Sequence, residues 1–231
     1  MQRQHLHKTT IAVIVAGFFS MGASSAFAQM TPQTADMTVT GTIVPAACSA
    51  SFDGGGIVDF GRIKLVDLPA NAYYQMVSKT ASLNVTCSAD KRVAFQVQDM
   101  QADSRMVGAE MRNAVGVGVD GQIFGLGKGD MSGTITEMGG YSLVVSAPTV
   151  DGSPKAAIYS TDNGLRWNAG AGPMYFTGGA LVTAGNGMTP VLGKNFVFPM
   201  TIRAALNYGS RMQASQDTPL NGQSTFTISY Q

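Results

Sequence analysis

The sequence predicts an all-β sandwich, and three observations carry that reading. Phe196, Phe198, Met200, Ile202, Ala204 and Leu206 recur at every second position, the period of a strand with one buried face. Shorter runs alternate in the same way, Leu83, Val85 and Cys87 and then Val93, Phe95 and Val97, with turn residues Ala89 and Asp90 between them. No stretch of useful length repeats at the helical 3.6. Strands must therefore supply the core.

Taken in order, residues 1–28 are expected to be a cleaved export signal. Arg3 and Lys8 give a positive start, residues 11–21 are apolar, and Ala26-Phe27-Ala28 is a small-x-small cleavage site. The apolar run is about half the length of a spanning helix, which favours a signal over an anchor. The mature protein is expected to begin near Gln29 and to work outside the cytoplasm. Residues 29–36, polar and interrupted by Pro32, read as a flexible leader, and residues 37–231 as a single β domain. Met37, Val39, Gly41 and Ile43 share one face of a strand that leads towards Cys48.

After a turn at Asp53-Gly54-Gly55-Gly56, a short strand is expected around Val58 and Phe60, and then a loop over 65–74. The middle of the chain is punctuated by glycines from Gly116 to Gly140, with short strands between them and a better one over 141–146. Residues 159–167 read as a hairpin turning at Asp162-Asn163-Gly164, and 174–183 as a further strand. In the strong alternation Pro199 lies on the opposite face and has no N–H, which favours an edge or a bulge. The chain closes on Phe226-Thr227-Ile228-Ser229-Tyr230-Gln231, alternating to its last residue. Chain ends ordinarily fray, so this one reads as a strand that something holds.

Composition narrows the function. Both histidines, His5 and His7, fall inside the export signal, so the mature chain lacks the commonest general base and the commonest zinc ligand. Glu110 and Glu137 are the only glutamates. The expectation is a protein that is not an enzyme and carries neither cofactor nor metal. Fifteen basic residues face fourteen acidic ones, and two of the basic ones leave with the signal. A near-neutral chain without basic clusters offers no footprint for nucleic acid or an anionic membrane. Cys48 and Cys87 form an even pair in an oxidising compartment and are expected to be one disulfide. Closing a loop of about 39 residues contributes roughly 3–4 kcal/mol on the chain-entropy account.

Four segments in order resemble the chaperone–usher fimbrial (pilin) subunits. Gly41-Thr42-Ile43-Val44-Pro45-Ala46-Ala47-Cys48 is similar to their first strand, and Val58-Asp59-Phe60-Gly61-Arg62-Ile63 to the segment that follows it. Leu83-Asn84-Val85-Thr86-Cys87 resembles the strand bearing their second cysteine, and residues 226–231 their closing strand with its penultimate tyrosine. The resemblance covers about half of the mature chain, and the long middle is closer to a fimbrial-like branch designated a domain of unknown function. Two positions depart from the pattern. Residues 29–36 form a poor version of the usual N-terminal extension, and Thr218 stands where a glycine precedes the closing strand, with Gly222 the nearest.

The resemblance implies an immunoglobulin-like, pilin-type sandwich that lacks its last strand and is completed by a donated one. A periplasmic chaperone lends that strand, an outer-membrane usher passes the subunit on, and the extension of a neighbouring fimbrial subunit replaces the chaperone. Phe226, Ile228 and Tyr230 would then border the groove, and the face of Met37, Val39, Gly41 and Ile43 would be the strand donated onward. The implied place of work is the periplasm in transit and then the cell-surface fimbria.

Two rivals stand beside that reading. One is an adhesin or tip subunit whose partner is a host glycan. The other is a secreted glycosidase using two aspartates, for which Asp99 and Asp103 are the candidates, though their spacing suits a surface turn better. Three motifs are read structurally. Ser160-Thr161-Asp162-Asn163-Gly164-Leu165-Arg166-Trp167 matches a single Asp-box hairpin, whose tryptophan more often packs than stacks on a sugar. Gly116-Val117-Gly118-Val119-Asp120-Gly121 fits G-x-G-x-x-G, but no helix follows to take a pyrophosphate. The sequon Asn84-Val85-Thr86 lies inside an expected strand.

Overall fold

Alternating runs become strands because burying one pleated face requires a second sheet to cover it. The computed structural model describes residues 47–170, 174–175 and 179–231. The expected export signal, the leader and the Met37, Val39, Gly41 and Ile43 face lie outside the described residues. The principal elements are β1 (Cys48–Phe52), β2 (Lys79–Lys91), β3 (Val93–Asp99), α1 (Ala109–Val115), β4 (Gly139–Val145), β5 (Ala156–Ser160), β6 (Leu181–Asn186), β7 (Gly193–Leu206) and β8 (Ser224–Tyr230). The first sheet runs β1-β2-β7-β4, with Met174–Tyr175 beyond β4, and the second runs β5-β6-β3-β8, with Asn168–Ala169 beyond β5. All these pairings are antiparallel. The fold is an all-β sandwich.

The core follows from the period. Phe196, Phe198, Met200, Ile202, Ala204 and Leu206 on β7 are all buried, as are Leu83, Val85 and Cys87 on β2 and Val93, Phe95 and Val97 on β3. Phe95 of the second sheet meets Phe198 of the first edge-on at 4.9 Å between ring centres, which ties the two layers together. Cys48 and Cys87 face each other directly in the β1–β2 register and are joined as the expected disulfide.

Pro199 sits in a central strand rather than at an edge. Its carbonyl accepts a hydrogen bond from the N–H of Ser146, the residue just after β4 ends, so its missing N–H faces a break in the neighbouring strand. Residues 174–183 are not one strand: Met174–Tyr175 joins the first sheet and Leu181–Asn186 the second. Residues 57–63, expected to hold a strand around Val58 and Phe60, carry none. Gly61 there has φ +73°, and its N–H is taken by the Asp59 side chain at 2.7 Å, which turns the chain out of an extended path.

A helix that the periodicity does not suggest lies on the outer face of the first sheet. Met111 and Val115 of α1 pack on Ala205 and Ile123, and the Ser142 hydroxyl on β4 donates to the Val115 carbonyl at 2.7 Å. Seven residues are too few to show a helical period over a window, so tertiary burial decides. Gly116, the first residue of the G-x-G-x-x-G match, is the left-handed C-cap of α1 (φ +69°). The motif therefore follows a helix instead of opening one, and its geometry is a helix stop.

Candidate functional site

The two sheets do not end together. Among the described residues β8 is the last strand of its sheet, and it pairs with β3 over Ser224–Asp99 to Tyr230–Val93. Arg92 and Gln231 exchange both main-chain hydrogen bonds at 3.0 Å, and Met100 donates to Gln223. Antiparallel ladders alternate, so the even-numbered residues of β8 turn their N–H and C=O groups away from β3. Beneath this edge the first sheet continues, with Ala81 of β2, Met200 and Ile202 of β7 and Leu143 of β4. The result is a cavity of about 350 Å³.

The cavity is lined by Phe226 and Ser224 of β8 and by Val58 and Phe60 of the irregular 57–63 segment. Phe52 at the end of β1 closes one side by meeting Phe226 edge-on at 4.8 Å. The floor is deep, because Leu143, Met200 and Ile202 are buried, while Phe52, Val58, Phe60, Ala81 and Phe226 at the rim are half-buried. The far end is built from Leu126, Leu220, Gly222 and Tyr141. The Tyr141 hydroxyl is hydrogen-bonded to Ser224 Oγ at 2.6 Å, which fixes the start of β8 over β4. Burial pushes the Tyr141 phenol up to about 12, partly offset by that bond.

The structure places the three terminal residues differently. Phe226 lines the cavity, whereas Ile228 packs against the same core without lining it. Tyr230 is 43 % exposed and lies at a second, smaller cleft. That cleft, of about 120 Å³, sits where the end of β8 meets the 160–167 hairpin and includes Arg92, Trp167 and Gln231. Sequence reasoning misses Leu126, Tyr141, Leu143, Leu220 and Gly222 as site residues. Only Tyr141 and Leu143 lie in an expected strand, and the loop residues carry no periodic signal.

Residues with a chemical claim are held structurally. Asp99 accepts from the N–H groups of Gln101 at 2.9 Å and Gly125 at 3.0 Å, while Asp103 faces outward to Lys128 at 3.5 Å. Gly125 itself leaves no room for a side chain, since a Cβ there would stand 2.1 Å from the Gln101 carbonyl oxygen. The Asp-box forms its hairpin through its own side chains. Ser160 Oγ donates to Asp162 Oδ1 at 2.7 Å and accepts from the Gly164 N–H at 2.8 Å, and the Arg166 N–H donates to Asp162 Oδ1 at 2.9 Å. The Arg166 N–H, then the Ser160 hydroxyl, hold the Asp162 carboxyl below its usual range. Among the described residues the return arm is short, with Asn168–Ala169 pairing back on β5. Asn84 of the sequon donates to Asp53 at 2.6 Å from within β2.

A family model described as "Protein of unknown function (DUF1120)" matches residues 37–142, a little under half of the chain. Two Escherichia coli (strain K12) proteins are similar to it. The uncharacterized protein YhcF is 28% identical over 144 residues, which is 57% of this chain and 59% of YhcF. Protein GltF is 25% identical over 96% of this chain and 97% of its own length. The chain thus spans about three fifths of the first relative and nearly all of the second.

Proposed function

We propose that the chain is a non-enzymatic structural subunit of a surface fimbria, assembled by accepting a donated strand beside β8. One observation carries the reading: among the described residues β8 is the outermost strand of the second sheet while the apolar face of the first continues beneath it, and a cavity of about 350 Å³ is lined by Phe226 and by the 57–63 segment. An extended peptide laid along this edge gains ladder bonds from the main chain and seats alternate side chains in the cavity. The occupant in transit is a strand of a periplasmic chaperone, and an outer-membrane usher then exchanges it for the N-terminal segment of a neighbouring subunit. Met37, Val39, Gly41 and Ile43 are this chain's own contribution to the next subunit. The structural bonding of Asp99 and Asp103 supports a role without catalysis.

The test uses the purified mature chain and a synthetic peptide of residues 36–46. Saturable binding, a rise in melting temperature and slowed exchange of the Ile228 amide are expected. A chain whose melting temperature and exchange ignore this peptide, and a co-expressed chaperone strand as well, overturns the reading.

A further inference from the structure

We propose that the cleft between the 160–167 hairpin and the end of β8 binds a neutral saccharide, an activity separate from strand donation. Trp167, the only tryptophan of the chain, is half-buried on its rim, so part of an aromatic surface remains open to a ligand. Arg92 is exposed beside it, and its Nε–H donates to the carbonyl of Pro190, another residue lining the cleft, at 3.4 Å. None of the ion pairs among the described residues includes Arg92, so its remaining N–H groups are available to a ligand. Next to Arg92, Gln231 is held by its two main-chain bonds to that residue. Its amide, the exposed Ser229 hydroxyl and the exposed Asn163 amide place donors and acceptors at the same rim.

That combination selects a chemistry. An aromatic surface attracts the apolar C–H side of a pyranose ring, and a small number of fixed donors and acceptors orient its hydroxyls. The side-chain amides of Asn163 and Gln231 and the Ser229 hydroxyl are uncharged and can both donate and accept, as a sugar hydroxyl requires. Arg92 is a single cation open to water, where attraction for an anion is weak, so it acts here as a fork of donors. At about 120 Å³ the cleft takes one face of a single ring against Trp167, with the rest of the ring and of a glycan outside. The Asp-box bonds around Ser160 and Asp162 hold the hairpin, and so Trp167, in place before any ligand arrives.

A glycan array of neutral and sialylated oligosaccharides, probed with the full mature chain, tests the proposal. Saturation-transfer NMR against methyl mannoside, methyl glucoside and methyl galactoside measures the contacts, and Trp167 fluorescence reports on this one site. Neutral glycans are expected to bind, with Trp167→Ala and Arg92→Ala each weakening binding at least tenfold. Trp167→Phe should keep part of it, and Leu165→Ala, on the same hairpin but outside the cleft, should change nothing. No binding across the array, a requirement for sialic acid, or binding that survives both alanine variants overturns the proposal. Sugar binding by a chain that ignores donor strands would remove the assembly reading and leave this one intact, and the converse also holds.

Discussion

Replacing Ala81 by leucine should push stability and strand acceptance in opposite directions. Ala81 lies on β2 opposite Met200 and lines the cavity beneath β8. The substitution adds three carbons, and at about 0.8 kcal/mol per buried CH₂ the gain is at most about 2.4 kcal/mol. The space of about 350 Å³ is far larger than three methylenes, so the usual overpacking cost does not arise. A chain of this size gains about 2–4 °C per kcal/mol, and the isolated protein should melt about 5–10 °C higher in calorimetry. The same leucine occupies the seat of an incoming side chain, so donor-peptide affinity measured by titration should fall at least tenfold. A lower melting temperature would mean that the space does not exist. A higher one with unchanged donor affinity would mean that the cavity is real but is not where a strand docks.

Three further outcomes follow from the same geometry. Phe226→Ser and Ile228→Ser should each lose about 1–2 kcal/mol, the share expected for half-buried apolar side chains, while Thr227→Ala and Ser229→Ala should stay near wild type in denaturant titrations. Replacing Cys48 and Cys87 by serine should cost roughly 3–4 kcal/mol, and peptide mapping without reductant should recover the two cysteines joined. Tyr141 has its folded pKa raised from 10.0 to about 12, so its contribution is complete below about pH 10 and disappears as pH climbs towards 12. That amounts to about 2–3 kcal/mol of alkaline destabilisation, which Tyr141→Phe should abolish in a pH-dependent melting series.

Long alternation is legible in the residues themselves. The β7 run and the β2 and β3 triplets determine which faces are buried, because a period of two survives wherever one face meets a core. The cysteine pairing is legible from there being two cysteines, read together with the expected export signal. What escapes depends on contacts between distant segments. α1 owes its existence to Ala205 and Ile123, and the Val58 and Phe60 segment, which alternates like a strand, has no neighbouring strand to bond with among the described residues. The closing alternation predicts a shared face for Phe226, Ile228 and Tyr230. Only the three-dimensional position of Leu126, Leu220 and the 160–167 hairpin assigns Phe226 to one cavity and Tyr230 to another.

The position of β3 has a consequence for how such a chain reaches its final form. Its two partners, β6 and β8, both follow it by more than 80 residues. Export from the N-terminus, which the proposed function requires, delivers Val93, Phe95 and Val97 long before either neighbour arrives. Until then β3 is a sticky ribbon with both flanks unsatisfied, and loop closure over such distances is slow. β3 can pair with β6 once residues 181–186 are out, but the second sheet is complete only when residues 224–230 have followed. A stop codon ahead of Ser224 would therefore remove one flank of β3 permanently, and the truncated product should be degraded or aggregate instead of surviving with a trimmed tail.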